Sequence, residues 1–368
     1  MVLIINITFI LVVFYISCSV GWNFSKVNLP NDVFISRFAI WKNRVFLAAP
    51  RWSKWSNNSV TLLKAPWIDP EVLSLMNIPS PPATAYLSPE LQSLGEDCTN
   101  LLSVTALDVD NRGRLWVLDS PEDIECPAKV IIYDLHHNEE ISRENLLGVP
   151  RKNLRCLTVD PVIGLWGHRG YIGDPGDESI IIFDTGLTGQ RKWWKLHLKH
   201  EPTVPRVYTN DLAISRKNKR LYITGTNSLD LFSIDLDKLR HKDRLSAVAH
   251  SKRETTVEYS DSDILWHGIK LGTSTGLLCD SKDGVQYFLV SEHASVRWDT
   301  KYNLKAENHL ILLQSEHVLS ITDYRMDSSK NVWAIINPLW YDNSSVDTTN
   351  KWNATNRIIK IAGFDSFY

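Results

Sequence analysis

Polar side chains gather at the predicted strand ends. Thr105, Asn210, Asp211, Thr275, Thr322 and Asp323 fall where predicted strands begin. Asp119, Asp174, Thr226, Asn227, Glu292 and Asn337 fall where the following strands end. Oxygen acceptors of this kind can surround an ammonium group, and the many Trp and Tyr residues can supply a cation–π face. Such residues also commonly satisfy backbone groups at strand ends. Proton transfer would need a positioned His or carboxylate. His267, His293, Asp211 and Asp323 are the candidates, and none stands out as a catalytic residue. Gly272-Thr273-Ser274-Thr275-Gly276 fits the Gly-x-Ser-x-Gly pattern, but a nucleophile elbow needs a strand before it and a helix after it. LLCDSKDGVQYFLV (277–290) follows and reads as a hairpin. His-Glu-x-x-His, a P-loop and the dinucleotide glycine pattern are absent, and no cofactor or metal is expected.

The elements that position these residues repeat. A short strand, a polar tight turn and an apolar aromatic strand recur as FAIWKNRVFLAA (38–49), LDVDNRGRLWVL (107–118), LTVDPVIGLWGH (157–168), LAISRKNKRLYI (212–223), LLCDSKDGVQYFLV (277–290) and YRMDSSKNVWAI (324–335). Asp110, Asp160, Asp280 and Asp327 close the first strand of four copies. An Asp side chain bonds the backbone two residues on and so favours a turn. Third strands are predicted at 129–135, 179–185, 230–236, 308–314 and 356–362. The copies are spaced by roughly 45–70 residues, the length of a propeller blade plus a loop. Short helices are expected in SPELQSL (88–94) and LDKLRHKDRLSAVAH (236–250). The expected fold is all-β, a six-bladed β-propeller, with residues 22–368 as one domain. In such a fold the first strand of each blade lines the axis, so polar groups there carry the functional argument.

The apolar fraction of 43% is enough for a sizeable core. A net charge of −2 argues against a nucleic-acid or anionic-membrane partner, which would need a basic excess. Residues 1–25 carry no charged side chain, and Val2 to Val20 is almost wholly apolar. With small residues at Cys18, Ser19 and Gly21, this reads as a signal peptide over 1–21, although the run approaches the length of a membrane anchor. Secretion, with no membrane contact after cleavage, is the expectation. It leaves Cys98, Cys126, Cys156 and Cys279, an even number suited to an oxidising compartment. Of three possible pairings, Cys98–Cys126 would clasp the second repeat, leaving Cys156–Cys279. Asn23, Asn57, Asn343 and Asn353 fit the glycosylation pattern. The basic runs Arg216 to Arg220 and Arg240 to Arg244 read as solvated turns or loop helices.

VTALDVDNRGRLWVLDS (104–120) followed by CPAKVIIYDL (126–135) resembles the Yellow and major royal jelly protein family of insects. WKNRVFLAAPRW (41–52), GEDC (95–98), DLAIS (211–215) and NVWAIIN (331–337) match as well, and the likeness keeps its order over roughly residues 30–363. Two departures stand out. The family usually places a Cys in the turn at Asn111-Arg112-Gly113, and often has Gly-Cys-Trp at Ser295 to Trp298. The resemblance implies a secreted propeller with an axial pocket. It implies binding of serotonin or catecholamines in some members, dopachrome conversion in others and nutritional secretion in others. By that resemblance Asn337 matches an Asn that contacts ligand in amine binders, and Thr322 falls at another polar contact. Asp323, Asn210 and Asp211 complete the expected ligand set. Asn210, Asp211 and Asp323 also resemble the axial oxygen ligands of calcium-dependent lactonase propellers. Those use a first-blade Glu, whereas Ile35-Ser36-Arg37-Phe38 supplies a cation here, which argues against a metal. The expected partner is a small aromatic amine or catechol. The alternatives are a dopachrome isomerase and a nutritional or structural secretion.

Overall fold

The computed structural model describes residues 22–30, 33–52, 58–69, 72–73, 76, 79, 81–93, 95, 97–152, 154–186, 192–226, 228–241, 248–252, 255–337 and 356–363. Its strands form six sheets, each a blade around a common axis. Blade one holds β1 (Arg37–Trp41), β2 (Arg44–Ala48), β3 (Leu62–Pro66) and β4 (Thr84–Ala85). Blade two holds β5 (Val104–Val109), β6 (Arg114–Asp119), β7 (Lys129–Asp134) and β8 (Glu139–Asn145). Blade three begins with β9 (Leu157–Val159), β10 (Arg169–Asp174), β11 (Ser179–Asp184) and β12 (Lys192–Lys199). Blade four has β13 (Asp211–Ser215), β14 (Arg220–Thr224) and β15 (Asp230–Asp235). Helix α1 (Leu236–His241) follows, then β16 (Val248–Lys252) and β17 (Thr255–Asp263), before β18 (Leu265–Ile269) completes that blade. The β16–β17 hairpin returns to blade three, where β17 pairs in parallel with β12. Blade five holds β19 (Ser274–Cys279), β20 (Gly284–Leu289), β21 (Ala294–Asp299) and β22 (His309–Gln314). Blade six holds β23 (Ser320–Met326), β24 (Val332–Asn337) and β25 (Arg357–Ala362).

Alternation explains why the second strands are apolar throughout. Side chains along a strand point to opposite faces, and each blade is covered on both. Thus Val45 and Leu47 of β2 pack toward blade six, while Phe46 and Ala48 pack toward blade two. In β6, Leu115 and Val117 face blade one, whereas Trp116 and Leu118 face blade three. Among the described residues the buried core therefore divides into six clusters, one per blade interface.

The recurring Asp does more than shape a turn. Asp110 Oδ1 accepts the Arg112 N–H at 2.9 Å, while Oδ2 accepts Trp116 Nε1 at 2.9 Å. Asp327 Oδ2 accepts Trp333 Nε1 at 2.8 Å, Asp160 Oδ2 accepts the Tyr171 hydroxyl at 2.9 Å, and Asp280 Oδ2 accepts Gln286 Nε2 at 3.2 Å. One carboxylate caps the hairpin and satisfies a buried polar atom on the second strand.

Several expectations need correction. In blade three the second strand is Arg169–Asp174, not LWGH, because Gly164 and Gly167 form a local bridge that lengthens the turn. NHLILLQ is the fourth strand of blade five, since Ala294–Asp299 pairs first with β20. LDKLRHKDRLSAVAH begins as a helix but ends in β16. Cys98 and Cys126 are joined as expected. Cys156 and Cys279 are not joined: both are buried free thiols. Cys156 precedes the first strand of blade three and donates to the Thr209 carbonyl at 3.2 Å, whereas Cys279 ends the first strand of blade five. Blade four stands between them, and they lie at opposite ends of the axis. Asn23 is exposed; Asn57, Asn343, Asn353, Asn227 and residues 1–21, where a signal peptide is expected, lie outside the described residues. No helix among the described residues is long and apolar enough to cross a membrane.

Candidate functional site

The first strands begin at one end of the axis, here the upper mouth, and turn at the other, the lower mouth. Bulges re-aim residues near the upper mouth. Thr105 is extra between the Val104–Asp119 and Ala106–Leu118 pairs, and Thr322 is extra between the Ile321–Ile336 and Asp323–Ile335 pairs. In blade five the shift falls between Thr275 and Leu278, with Gly276 at φ 65°.

A small space of about 50 Å³ opens there, lined by Ser36, Arg37, Asn210, Asp211, Thr275 and Thr322. The rings of Phe34 and Trp52 border it, 5.3 Å apart and tilted at 47°. Trp52 stacks under the Arg155 guanidinium, whose carbon lies 4.4 Å from the ring centroid. Burial lowers the Arg155 pKa, and Glu122 at 3.2 Å acts against that. Trp52 is placed by its neighbour. The Arg51 guanidinium donates to the carbonyls of Asn58, Leu102 and Ser59 at 2.7, 2.8 and 2.8 Å, anchoring the turn after β2.

Arg37 closes the axis. Its guanidinium donates to the carbonyls of Arg155, Thr322 and Asn210 at 3.0, 2.7 and 3.2 Å, and to Asp211 Oδ1 at 2.7 Å. Asp323 Oδ1 lies 3.5 Å away. Burial by itself would lower the Arg37 pKa, but the two carboxylates raise it above its ordinary value. Burial raises the Asp323 pKa, opposed by Arg325 and Arg37. The cation between these carboxylates belongs to the chain itself, so the donor set does not fit a dication.

The expected ligand set divides. Thr322, Asn210 and Asp211 line the upper mouth. Asp323 lies behind Arg37, where Oδ2 accepts the Phe38 N–H at 3.1 Å and pairs with Arg325 at 3.1 Å. Asn337 is fully buried and its amide is used internally. Oδ1 accepts the Ile35 N–H at 2.9 Å, and Nδ2 donates to the Ile35 carbonyl at 2.9 Å and to Thr322 Oγ1 at 2.7 Å. Asp119 and Asp174 pair with Lys129 and Lys195. Phe34, Trp52 and Arg155 escaped sequence reasoning, although Pro-Arg-Trp was visible as a shared phrase.

Neither His candidate lines the mouth. His293 contacts the Val318 carbonyl at 2.9 Å. His267 lies on β18, the outer strand of blade four. Arg220 donates to Ser233 Oγ at 3.1 Å, and that hydroxyl is hydrogen-bonded to His267 Nε2, 2.8 Å away. Burial, then the Arg220 charge, lowers the His267 pKa from 6.5 to about 4. A depressed His pKa stabilises the fold above about pH 6.5, and that stability is lost as pH falls toward about 4. Denaturant midpoints measured over this window should fall by an amount equivalent to roughly 3 kcal/mol, and His267→Gln should flatten the slope. An unchanged slope would remove this role from His267.

The sequence profile of the major royal jelly proteins matches residues 102–360. The chain belongs to the major royal jelly protein family. It is 20% identical to major royal jelly protein 9 of Apis mellifera, covering 81% of this chain and 75% of that one. It is 23% identical to protein yellow of Drosophila melanogaster, covering 80% of this chain but 56% of that one. The chain spans about half the length of several such relatives, including 55% of major royal jelly protein 1 of Apis mellifera. Among solved structures, a luciferin-regenerating enzyme superposes with a TM-score of 0.51 at 11% identity, covering 94% of this chain and 96% of that one. That likeness supports the propeller fold of this major royal jelly family member and nothing about its chemistry.

Proposed function

We propose that this chain is a secreted propeller that binds a small aromatic ligand, an amine or catechol, at the upper mouth. The observation that carries this reading is the meeting of two aromatic rings, Phe34 and Trp52, with the Asp211 carboxylate and three threonine hydroxyls around one opening. The open space of about 50 Å³ has room for an ammonium or a ring hydroxyl. The polar head therefore enters and the ring lies against Trp52 and Phe34. Arg37 holds Asp211 Oδ1, so the ligand addresses Oδ2. Secretion is supported by the apolar leader and by the Cys98–Cys126 bridge.

Dopachrome isomerisation is the second reading. It needs a proton acceptor beside the substrate. His267 and His293 point elsewhere and Asp323 is enclosed, which leaves Asp211 as its candidate. Calorimetry with serotonin and dopamine, beside a dopachrome-decay assay, tests both readings. Binding without turnover is expected. Trp52→Ala should weaken it about tenfold through lost ring contact, and Asp211→Asn should weaken an amine more than a neutral catechol. Turnover abolished by Asp211→Asn would replace binding with catalysis. Silence in both assays would overturn the pocket reading and leave a nutritional or structural secretion.

A further inference from the structure

The larger cavity is at the other end. Below Arg325 the axis widens to about 860 Å³ and opens at the hairpin turns. That size lies within the roughly 300–1,000 Å³ range of small-molecule sites. Ile40, Val109, Ile214, Leu278 and Met326, from five blades, form an apolar collar within its mixed wall and are only partly buried. Four cations stand on its rim: Lys42 from blade one, Arg216 and Lys217 from blade four and Lys330 from blade six.

The rim also contains carboxylates, so the balance depends on their partners. Asp110, Asp160 and Asp280 pair with Arg114, Arg240 and Arg297 at 2.7, 2.7 and 2.6 Å. Asp327 accepts from Asn331 and Trp333, and Asp283 accepts the Lys217 and Asn218 N–H groups. Asp108 accepts the Val109 and Val159 N–H groups and faces Arg325 at 3.9 Å. Asp110, Asp280 and Asp327 are thus engaged within their own blades, Asp160 by Arg240 of α1, Asp283 by the blade-four hairpin and Asp108 by β9 and Arg325. Among the described residues, no ion pair reaches Lys42, Arg216, Lys217 or Lys330; Lys42 rests over the Trp41 ring at 4.4 Å. Lys42 and Lys330 also occupy left-handed turn positions, with φ 53° and 66°; blade two has Gly113 at the place of Lys330. Glycine takes this conformation more easily than lysine does.

We infer that the lower vestibule binds an amphiphilic organic anion, its apolar body against the collar and its carboxylate or sulfonate among the rim cations. Arg325 is already held by the Phe38 and Leu107 carbonyls, so the anionic head stays at the rim. This site is separated from the upper mouth by Arg37 and Arg325, and the inference does not depend on amine binding.

The test uses the full chain. Titration with 1-anilinonaphthalene-8-sulfonate should give saturable fluorescence. Dodecanoate should displace the probe, and dodecyltrimethylammonium should not. The triple variant Lys42→Glu, Lys217→Glu, Lys330→Glu should weaken dodecanoate binding at least about tenfold, as expected when attraction by several charges becomes repulsion. Near-UV circular dichroism checks that the variant is folded. Lys152→Glu, exposed on blade two's connection to blade three, should leave binding unchanged. Should the triple variant misfold, Met326→Glu places a like charge in the collar and should give the same loss. Equal displacement by the cationic detergent, or dodecanoate binding within twofold of wild type in the folded variants, would overturn the inference. Loss of serotonin binding with dodecanoate binding intact would count against the upper-mouth reading alone.

Discussion

Replacing Arg37 with methionine is expected to destabilise the protein by about 3–5 kcal/mol, the cost of breaking a buried ion pair by removing one partner. The guanidinium of blade one reaches carbonyls in front of blade three and in blades four and six, and pairs with Asp211 and Asp323. Methionine fills much of the volume but leaves buried Asp211 without its ion-pair partner and Asp323 with Arg325 alone. Arg37 opposes the burial that raises the Asp323 pKa, so its loss lifts that pKa further above the value in the unfolded chain. Raised carboxylate pKa values mean that stability is regained as pH falls through them. The deficit in urea midpoint should therefore be larger at pH 7 than at about pH 4.5. Arg37→Lys should recover only part of the loss, because an ammonium lacks the planar fork that reaches several carbonyls at once. A midpoint equal to wild type for Arg37→Met would show that the axis does not depend on this cation.

Asn337→Ala should cost about 3–5 kcal/mol as well, through a different mechanism. Three hydrogen bonds join the last residue of β24 to Ile35 and Thr322. Ile35 is fully buried, so truncation leaves its N–H without a partner, at roughly 1–3 kcal/mol, while its C=O keeps the Thr322 hydroxyl at 3.2 Å. The two other lost bonds add about 1 kcal/mol each. The lost contacts span the junction of blade six with blade one, where Trp333, Ile335 and Ile358 pack against Phe38 and Leu63. The ring should therefore open at lower denaturant. Amine affinity, corrected for the folded fraction, should change little, because this amide faces Ile35 and Thr322. A variant with wild-type stability and lost affinity would return Asn337 to the role of ligand contact that the family resemblance implies.

The repeating architecture was legible because its physics is local. Six apolar second strands, covered on both faces, stand out against polar turns. Asp110, Asp280 and Asp327 mark those turns because their carboxylates serve residues two to six positions away. Blade three was less legible. Nine residues from Asp160 to His168 separate its first two strands, and an apolar stretch inside that turn imitates a strand. The fourth strand of blade five was mistaken for the third for a related reason. Its run is strongly apolar, whereas Ala294–Asp299 mixes Ser, Arg and Asp with its buried residues.

The site was only half legible. Thr322, Asn210 and Asp211 follow from their place at the starts of first strands, since blade geometry brings those positions to the axis. The destination of a side chain does not follow from its place in the sequence. Asn337 and Ile35 are 302 residues apart, and the Arg37–Asp211 hydrogen bond spans 174. By itself the sequence determined that there would be six blades, an axis with polar strand ends and a basic residue where a metal-binding propeller has an acid. Tertiary structure alone decided that this base closes the upper mouth against two aspartates, that Asn337 is used in joining the ring, and that the large opening lies below. Turn and strand preferences act over a few residues. Pairing across the axis depends on all six blades meeting, which no local pattern encodes.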